Sequence, residues 1–343
     1  MRDLGYRYLI IQECIASTRD ADGNVVADAK RFPHGIPALV DYIHAKGLKA
    51  GIYTDVGPLT CFSKTHYQGS YDHEAQDAET FAGWGIDLIE VDFCNKPKGH
   101  SAKELYGRMA AGIRKTGRAM LLYVCSWGDE QPWEWGPGMA QLWRTTKDIS
   151  YEPAHAAWSS VVRNFEANAL HAAFTAPNSW NDPDMLEVGN GGLTPVEWRS
   201  HFSMWAIAAA PLWAAGTDLT HMDADTRAIL TDPEVIAVDQ DPLGAGLRRV
   251  RPDRGGIEIW AKPLGRWSGG SQAVLLLNLA SSKAMAPSGM ERTRSHSERS
   301  GPRSLGGERS GPISGRVLGR DCCSRLGPAQ DFWNAFAAAL HRV

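Results

Sequence analysis

The chain has 343 residues, of which 43% are hydrophobic, and a formal charge of −3. That length suits one large barrel or two smaller domains, and the near-balanced charge gives no reason to expect nucleic acid or an anionic membrane as partner. No stretch is apolar for long enough to span a bilayer, and Met1-Arg2-Asp3-Leu4-Gly5 lacks the apolar core of a signal peptide.

Tyr6–Gln12 reads as a strand, and Asp20-Ala21-Asp22-Gly23 as a turn. Pro33–Lys46 is an amphipathic helix with Ile36, Leu39, Val40 and Ile43 on one face and Gly47 as its stop. Leu48–Tyr53 is a second strand, running into Thr54-Asp55-Val56-Gly57. Ala75–Trp84 is helical, and Ile86–Asp92 is a third, short apolar strand ending in a carboxylate. A helix over Ala102–Thr116 stops at Gly117 and leads into a fourth strand, Ala119–Cys125. Leu142–Arg144 is a short fifth strand, Ala154–Ala172 a helix, and a sixth strand ends at Trp180-Asn181-Asp182-Pro183-Asp184. Pro195–Ala209 is helical, Leu212–Ala214 a seventh strand, and Asp223–Leu230 another helix.

Strands alternating with helices predict a parallel α/β sheet that closes into a (β/α)8 TIM barrel, over residues 1–238. The count reaches seven strands, so the first barrel strand is expected to be missing. From 239 to 283 the helices stop. Gly256–Ala261 and Ala273–Asn278 read as the start of a small antiparallel β domain. Residues 284–343 turn abruptly rich in Arg, Ser, Gly and Pro and cannot bury enough apolar surface to fold. They read either as a flexible basic tail or as the product of a frame shift, with Phe332–Leu340 a stray amphipathic helix.

Ligand sites of parallel α/β folds lie at the carboxyl ends of the strands. Asp55, Asp92, Asp148 and the pair Asp182/Asp184 all stand there. Any one of them alone reads as a helix cap; together they converge on one cleft. Two carboxylates facing across a sugar cleave a glycosidic bond, one attacking the anomeric carbon and one protonating the leaving oxygen. The 13 Trp suit such a site, although each by itself is more simply core packing. A metal site is the weaker reading of these carboxylates: no HxH, HExxH or CxxC spacing occurs among the scattered His and the six Cys. No cofactor is implied.

Tyr53-Thr54-Asp55-Val56-Gly57, Glu90-Val91-Asp92-Phe93-Cys94, Trp143-Arg144-Thr145-Thr146-Lys147-Asp148-Ile149 and Trp180-Asn181-Asp182-Pro183-Asp184-Met185 occur in the order and spacing of glycoside hydrolase family 27. Met204–Leu212 and Asp239–Gly244 extend the likeness, so that residues 1 to about 280 resemble this α-galactosidase (melibiase) family. The resemblance implies a (β/α)8 barrel followed by an antiparallel β domain, and a retaining double displacement on an oligosaccharide or glycoside. It makes Asp92 the nucleophile and Asp148 the acid/base, about 5–5.5 Å apart, and puts Tyr53, Arg144 and Asp184 in the sugar site. It also implies a disulfide between Cys61 and Cys94; two buried thiols are the alternative.

Five positions depart from the family pattern. Gln12-Glu13-Cys14-Ile15 stands where Asp-Asp-Cys-Trp is usual, Glu90 where a Lys is usual two residues before the nucleophile, and Ser126 where a Glu is common. Gln12, Glu13, Glu90 and Ser126 are therefore expected to reshape the substrate wall. The resemblance implies an α-galactosidase, and the altered wall leaves as alternatives the same chemistry on a β-L-arabinopyranoside, an N-acetylgalactosaminide or an isomaltosyl glucan. A further reading is an inactive, truncated homologue that at most binds carbohydrate.

Overall fold

The computed structural model describes residues 1–61, 67–150, 155–254, 256–265 and 271–280. The tail from 281 onward, with the proposed helix at Phe332–Leu340, lies outside the described residues.

A 3-10 turn at Arg2–Leu4 precedes β1 (Tyr8–Ile11), and β2 (Ala16–Arg19) and β3 (Val25–Ala27) form a hairpin before α1 (Gly35–Ala45). β4 (Lys49–Asp55), α2 (Glu74–Gly83), β5 (Leu88–Asp92), α3 (Ala102–Thr116) and β6 (Leu121–Val124) follow, then α4 (Pro132–Trp135) and β7 (Leu142–Arg144). α5 (Trp158–Ala169), β8 (Trp180–Asp182), α6 (Pro195–Ala208), α7 (Ala224–Leu230) and α8 (Pro233–Asp239) complete the α/β part. β9 (Arg248–Arg254), β10 (Ile257–Pro263) and β11 (Gln272–Asn278) form a separate antiparallel sheet in the order β11-β10-β9.

The main sheet has six strands in the order β1-β4-β5-β6-β7-β8, and all five pairings are parallel. Every residue of β4 after Lys49 is buried, as a parallel strand covered on both faces requires. α1 buries Ile36, Leu39, Val40 and Ile43, the spacing of a single helical stripe. α3 starts where Ser101 accepts a bond from Glu104 N and ends at Gly117, whose φ of 69° is the left-handed conformation glycine tolerates. A capping box between Thr194 and Glu197 starts α6, with Pro195 in its first turn.

Two expectations need correction, and one hairpin is new. Leu212–Ala214 is not a paired strand: Trp213 N turns back onto Pro211 O at 3.0 Å, and Leu186 N→Trp213 O at 2.8 Å is the bond that ties it to the core. Such an i to i−2 closure curls the backbone away from a ladder. The helix expected over Ala154–Ala172 is α5 followed by a 3-10 turn at Ala172–Phe174. The β2–β3 hairpin around the expected turn at Asp20–Gly23 was not foreseen. Arg19 fixes it to α2 through bonds of 2.6 and 2.8 Å to the two carboxylate oxygens of the buried Asp77.

The antiparallel sheet packs against α6 through Trp260 and Leu277. Its most buried contact is polar. Lys262 on β10 is fully buried, and its ammonium donates to Val238 O at 2.8 Å and to Ala206 O and Asp239 O at 3.4 Å. These carbonyls belong to the last turns of α6 and α8, where a cation meets the negative end of the helix dipole.

Candidate active site

The carboxyl ends of the six parallel strands bring the expected side chains to one edge of the sheet. β4 and β5 are in register with Asp55 opposite Asp92, and Tyr53 opposite Glu90. The turns after these strands press together so closely that a Cβ on Gly57 would sit 2.2 Å from Asn95 O, so only glycine fits there. The fully buried Asp55 holds both turns, accepting from Gly57 N at 2.6 Å and Cys94 N at 2.9 Å. Burial, and then the neighbouring Asp92, push its carboxyl up to about 7 against those backbone donors.

Asp92 is half-buried and fixed at both oxygens. Oδ2 accepts from Tyr53 Oη at 2.8 Å and Oδ1 from Phe93 N at 2.9 Å. Burial raises its carboxyl to about 6, while the Tyr53 bond, the Phe93 amide and the Arg144 charge hold it from rising further. Cys61 and Cys94 form the implied disulfide, with Cα atoms 5.1 Å apart, and Cys61 Sγ rests 2.9 Å from Asp92 Oδ2.

Arg144, 5% exposed, joins the opposite side of the cleft. One terminal nitrogen lies 2.8 Å from Asp148 Oδ1 and the other 3.0 Å from Asp184 Oδ1. Asp184 has φ 104°, a backbone conformation that side chains rarely adopt and that clusters at functional sites. It is held by Ile149 N→Asp184 Oδ2 at 2.7 Å and Trp205 Nε1→Asp184 O at 2.6 Å. Burial pushes its carboxyl up to about 6, opposed by Arg144. Asn164 of α5 ties the two loops together, donating to Lys147 O at 2.8 Å and Pro183 O at 3.0 Å.

The departing residues fall in three different settings. Gln12 Nε2 donates to Glu90 Oε2, so the amide and the carboxyl form one wall beside Asp92. Burial, and then the neighbouring Asp92, push the Glu90 carboxyl up to about 8, so that Glu90 is neutral where Asp92 ionises. Glu13 accepts from Thr60 Oγ1 at 2.8 Å. Ser126 is fully buried, with its hydroxyl 3.3 Å from Asp129 O inside the turn after β6.

Sequence reading passed over Trp127. It is half-buried with φ 54°, meets the Phe93 ring edge-on at 6.1 Å, and lies under the Lys147 ammonium at 4.9 Å. Its place directly after a strand end was the available signal.

A parallel α/β barrel sheet with paired carboxylates at its carboxyl ends is the architecture of a large class of sugar-processing enzymes. Residues 1–241 match the family described as "Alpha galactosidase A", and the chain belongs to that family. It is 46% identical over 282 residues to an α-galactosidase of Oryza sativa subsp. japonica, covering 82% of this chain and 64% of that one. Among solved structures, α-galactosidase I of Mortierella vinacea superposes with a TM-score of 0.73 at 35% identity, covering 81% of this chain and 73% of that one. An α-galactosidase of Saccharomyces cerevisiae with raffinose superposes at 0.72 and 30% identity, with 81% and 66% covered. The chain thus spans slightly less than two thirds of the rice relative's length.

Proposed function

We propose that the chain is a retaining glycoside hydrolase of α-galactosidase type, removing a terminal α-D-galactosyl or related residue from an oligosaccharide. The observation that carries this reading is the pair of differently held carboxylates. Asp92 is fixed at both oxygens by Tyr53 and Phe93 N, and Asp148 is reached across the cleft through Arg144. The ionised Asp92 attacks the anomeric carbon while Asp148 gives its proton to the leaving oxygen. Asp148 then takes a proton from the water that opens the glycosyl ester. Tyr53 holds the nucleophile's carboxyl below the value that burial alone would give it, and Arg144 fixes Asp148 and Asp184 relative to each other. The raffinose of the yeast structure is a galactose-terminated oligosaccharide of the kind this pocket would accept.

The Gln12–Glu90 wall favours a second reading, the same chemistry on another pyranoside. A pocket whose polar groups miss a hydroxyl leaves them unpaired at about 1–3 kcal/mol each. Comparing kcat/KM on p-nitrophenyl α-D-galactoside, β-L-arabinopyranoside, α-N-acetylgalactosaminide and an isomaltosyl substrate tests both. Preference for the α-galactoside supports the first reading. Sugar binding with no turnover of any substrate would leave a carbohydrate-binding homologue. An inverted first-formed product would overturn the double displacement.

A further inference from the structure

One corner of the cleft gathers four side chains of which glycoside cleavage uses only Asp92. Asp55, Cys61, Asp92 and Cys94 each present a metal-ligating atom, and the four atoms lie within 4.8 Å of one another. Cys61 Sγ is 2.9 Å from Asp92 Oδ2 and 3.6 Å from Asp55 Oδ2. In the disulfide this sulfur has no proton to donate and no thiolate to offer, so the contact is sulfur resting on carboxylate oxygen. Cys94 is exposed, which opens the bond to a reductant in solution.

We infer that the Cys61–Cys94 disulfide is a redox gate over a latent site for a soft divalent cation such as Zn2+. A dithiol reductant supplies two electrons and two protons to the S–S bond, and leaves as its own disulfide. Zn2+ then displaces both thiol protons to solvent and is held by two thiolates, Asp55 and Asp92. Zn–S and Zn–O distances of about 2.3 and 2.0–2.2 Å set tetrahedral edges of roughly 3.3–3.8 Å. The present cluster lies within 4.8 Å, so the two sulfurs, once unbonded, need to part by less than about 2 Å. Thiolates select zinc-like ions over Mg2+ and Ca2+, which prefer oxygen ligands. Binding engages Asp92 and so halts hydrolysis; that consequence rests on Asp92 being the nucleophile, whereas the site itself does not.

The test uses the whole chain, oxidised or reduced with dithiothreitol and then desalted anaerobically. Co2+ is the spectroscopic probe and Zn2+ the inhibitor. Reduced protein is expected to show a thiolate-to-cobalt charge-transfer band that Zn2+ bleaches, and oxidised protein none. Hydrolysis by the reduced form should fall to about a tenth when free Zn2+ is about ten times its dissociation constant, and return on chelation. Cys61→Ser/Cys94→Ser protein should lack the band. A band that persists in that variant, equal bands in both redox states, or no band after reduction would each overturn the proposal. Because the band is read without substrate, failure of the glycosidase reading would leave this result standing.

Discussion

Glu90→Gln isolates the charge that this cleft carries in place of the family's lysine. The amide keeps an acceptor for Gln12 and nearly the same volume, but it cannot ionise. Glu90 titrates at about 8 in the fold against 4.5 when free of it. A carboxyl raised by folding costs nothing below its unfolded value. It destabilises progressively as pH climbs toward its folded value, and by a constant amount above that. Each pH step in that window costs about 1.4 kcal/mol. Between about pH 5.5 and about pH 8 the native protein should therefore lose about 3 kcal/mol that the variant keeps. Urea unfolding of both proteins at the two pH values measures this. A stability difference that does not change with pH, or one that moves in the native protein's favour as pH rises, would show that Glu90 is ionised throughout and refute the reasoning.

Asp92→Asn should abolish turnover on every glycoside, because an amide cannot form the glycosyl ester; steady-state assays on activated and natural substrates check it. Asp148→Ala should lose far more activity on unactivated glycosides than on nitrophenyl ones, which leave without protonation, and equal losses would remove Asp148 from the acid/base role. Tyr53→Phe deletes the hydroxyl that lowers the Asp92 carboxyl from its buried value, so the acid limb of the kcat/KM profile, near pH 6, should move to higher pH. An unmoved limb would mean that Asp92 does not set it.

The strand ends were legible because the runs before them are apolar enough to be buried on both faces, as β4 and β5 are. The Cys61–Cys94 pairing followed from resemblance to a family, and the structure forms it. What escaped reading depends on partners distant in the chain. Gln12 and Glu90 stand 78 residues apart and become one hydrogen-bonded wall only when β1 and β5 are brought to the same edge. Ser126 looks like a shortened Glu in sequence, yet its hydroxyl is spent on a local turn. Leu212–Ala214 has strand composition, but Pro211 offers a carbonyl that captures Trp213 N before a ladder can.

Lys262 bears on how this architecture can be recombined. Its ammonium lies on the antiparallel sheet, yet the carbonyls it serves end two helices of the α/β part. Removing the sheet would strip a cation from those helix ends and leave the buried Asp239 carboxylate without its counter-charge, at about 1–3 kcal/mol for each orphaned group. A graft that replaces this sheet with another would have to bring a buried lysine of matching reach. The two parts are therefore exchangeable only as a matched pair, even though their strand orders are independent.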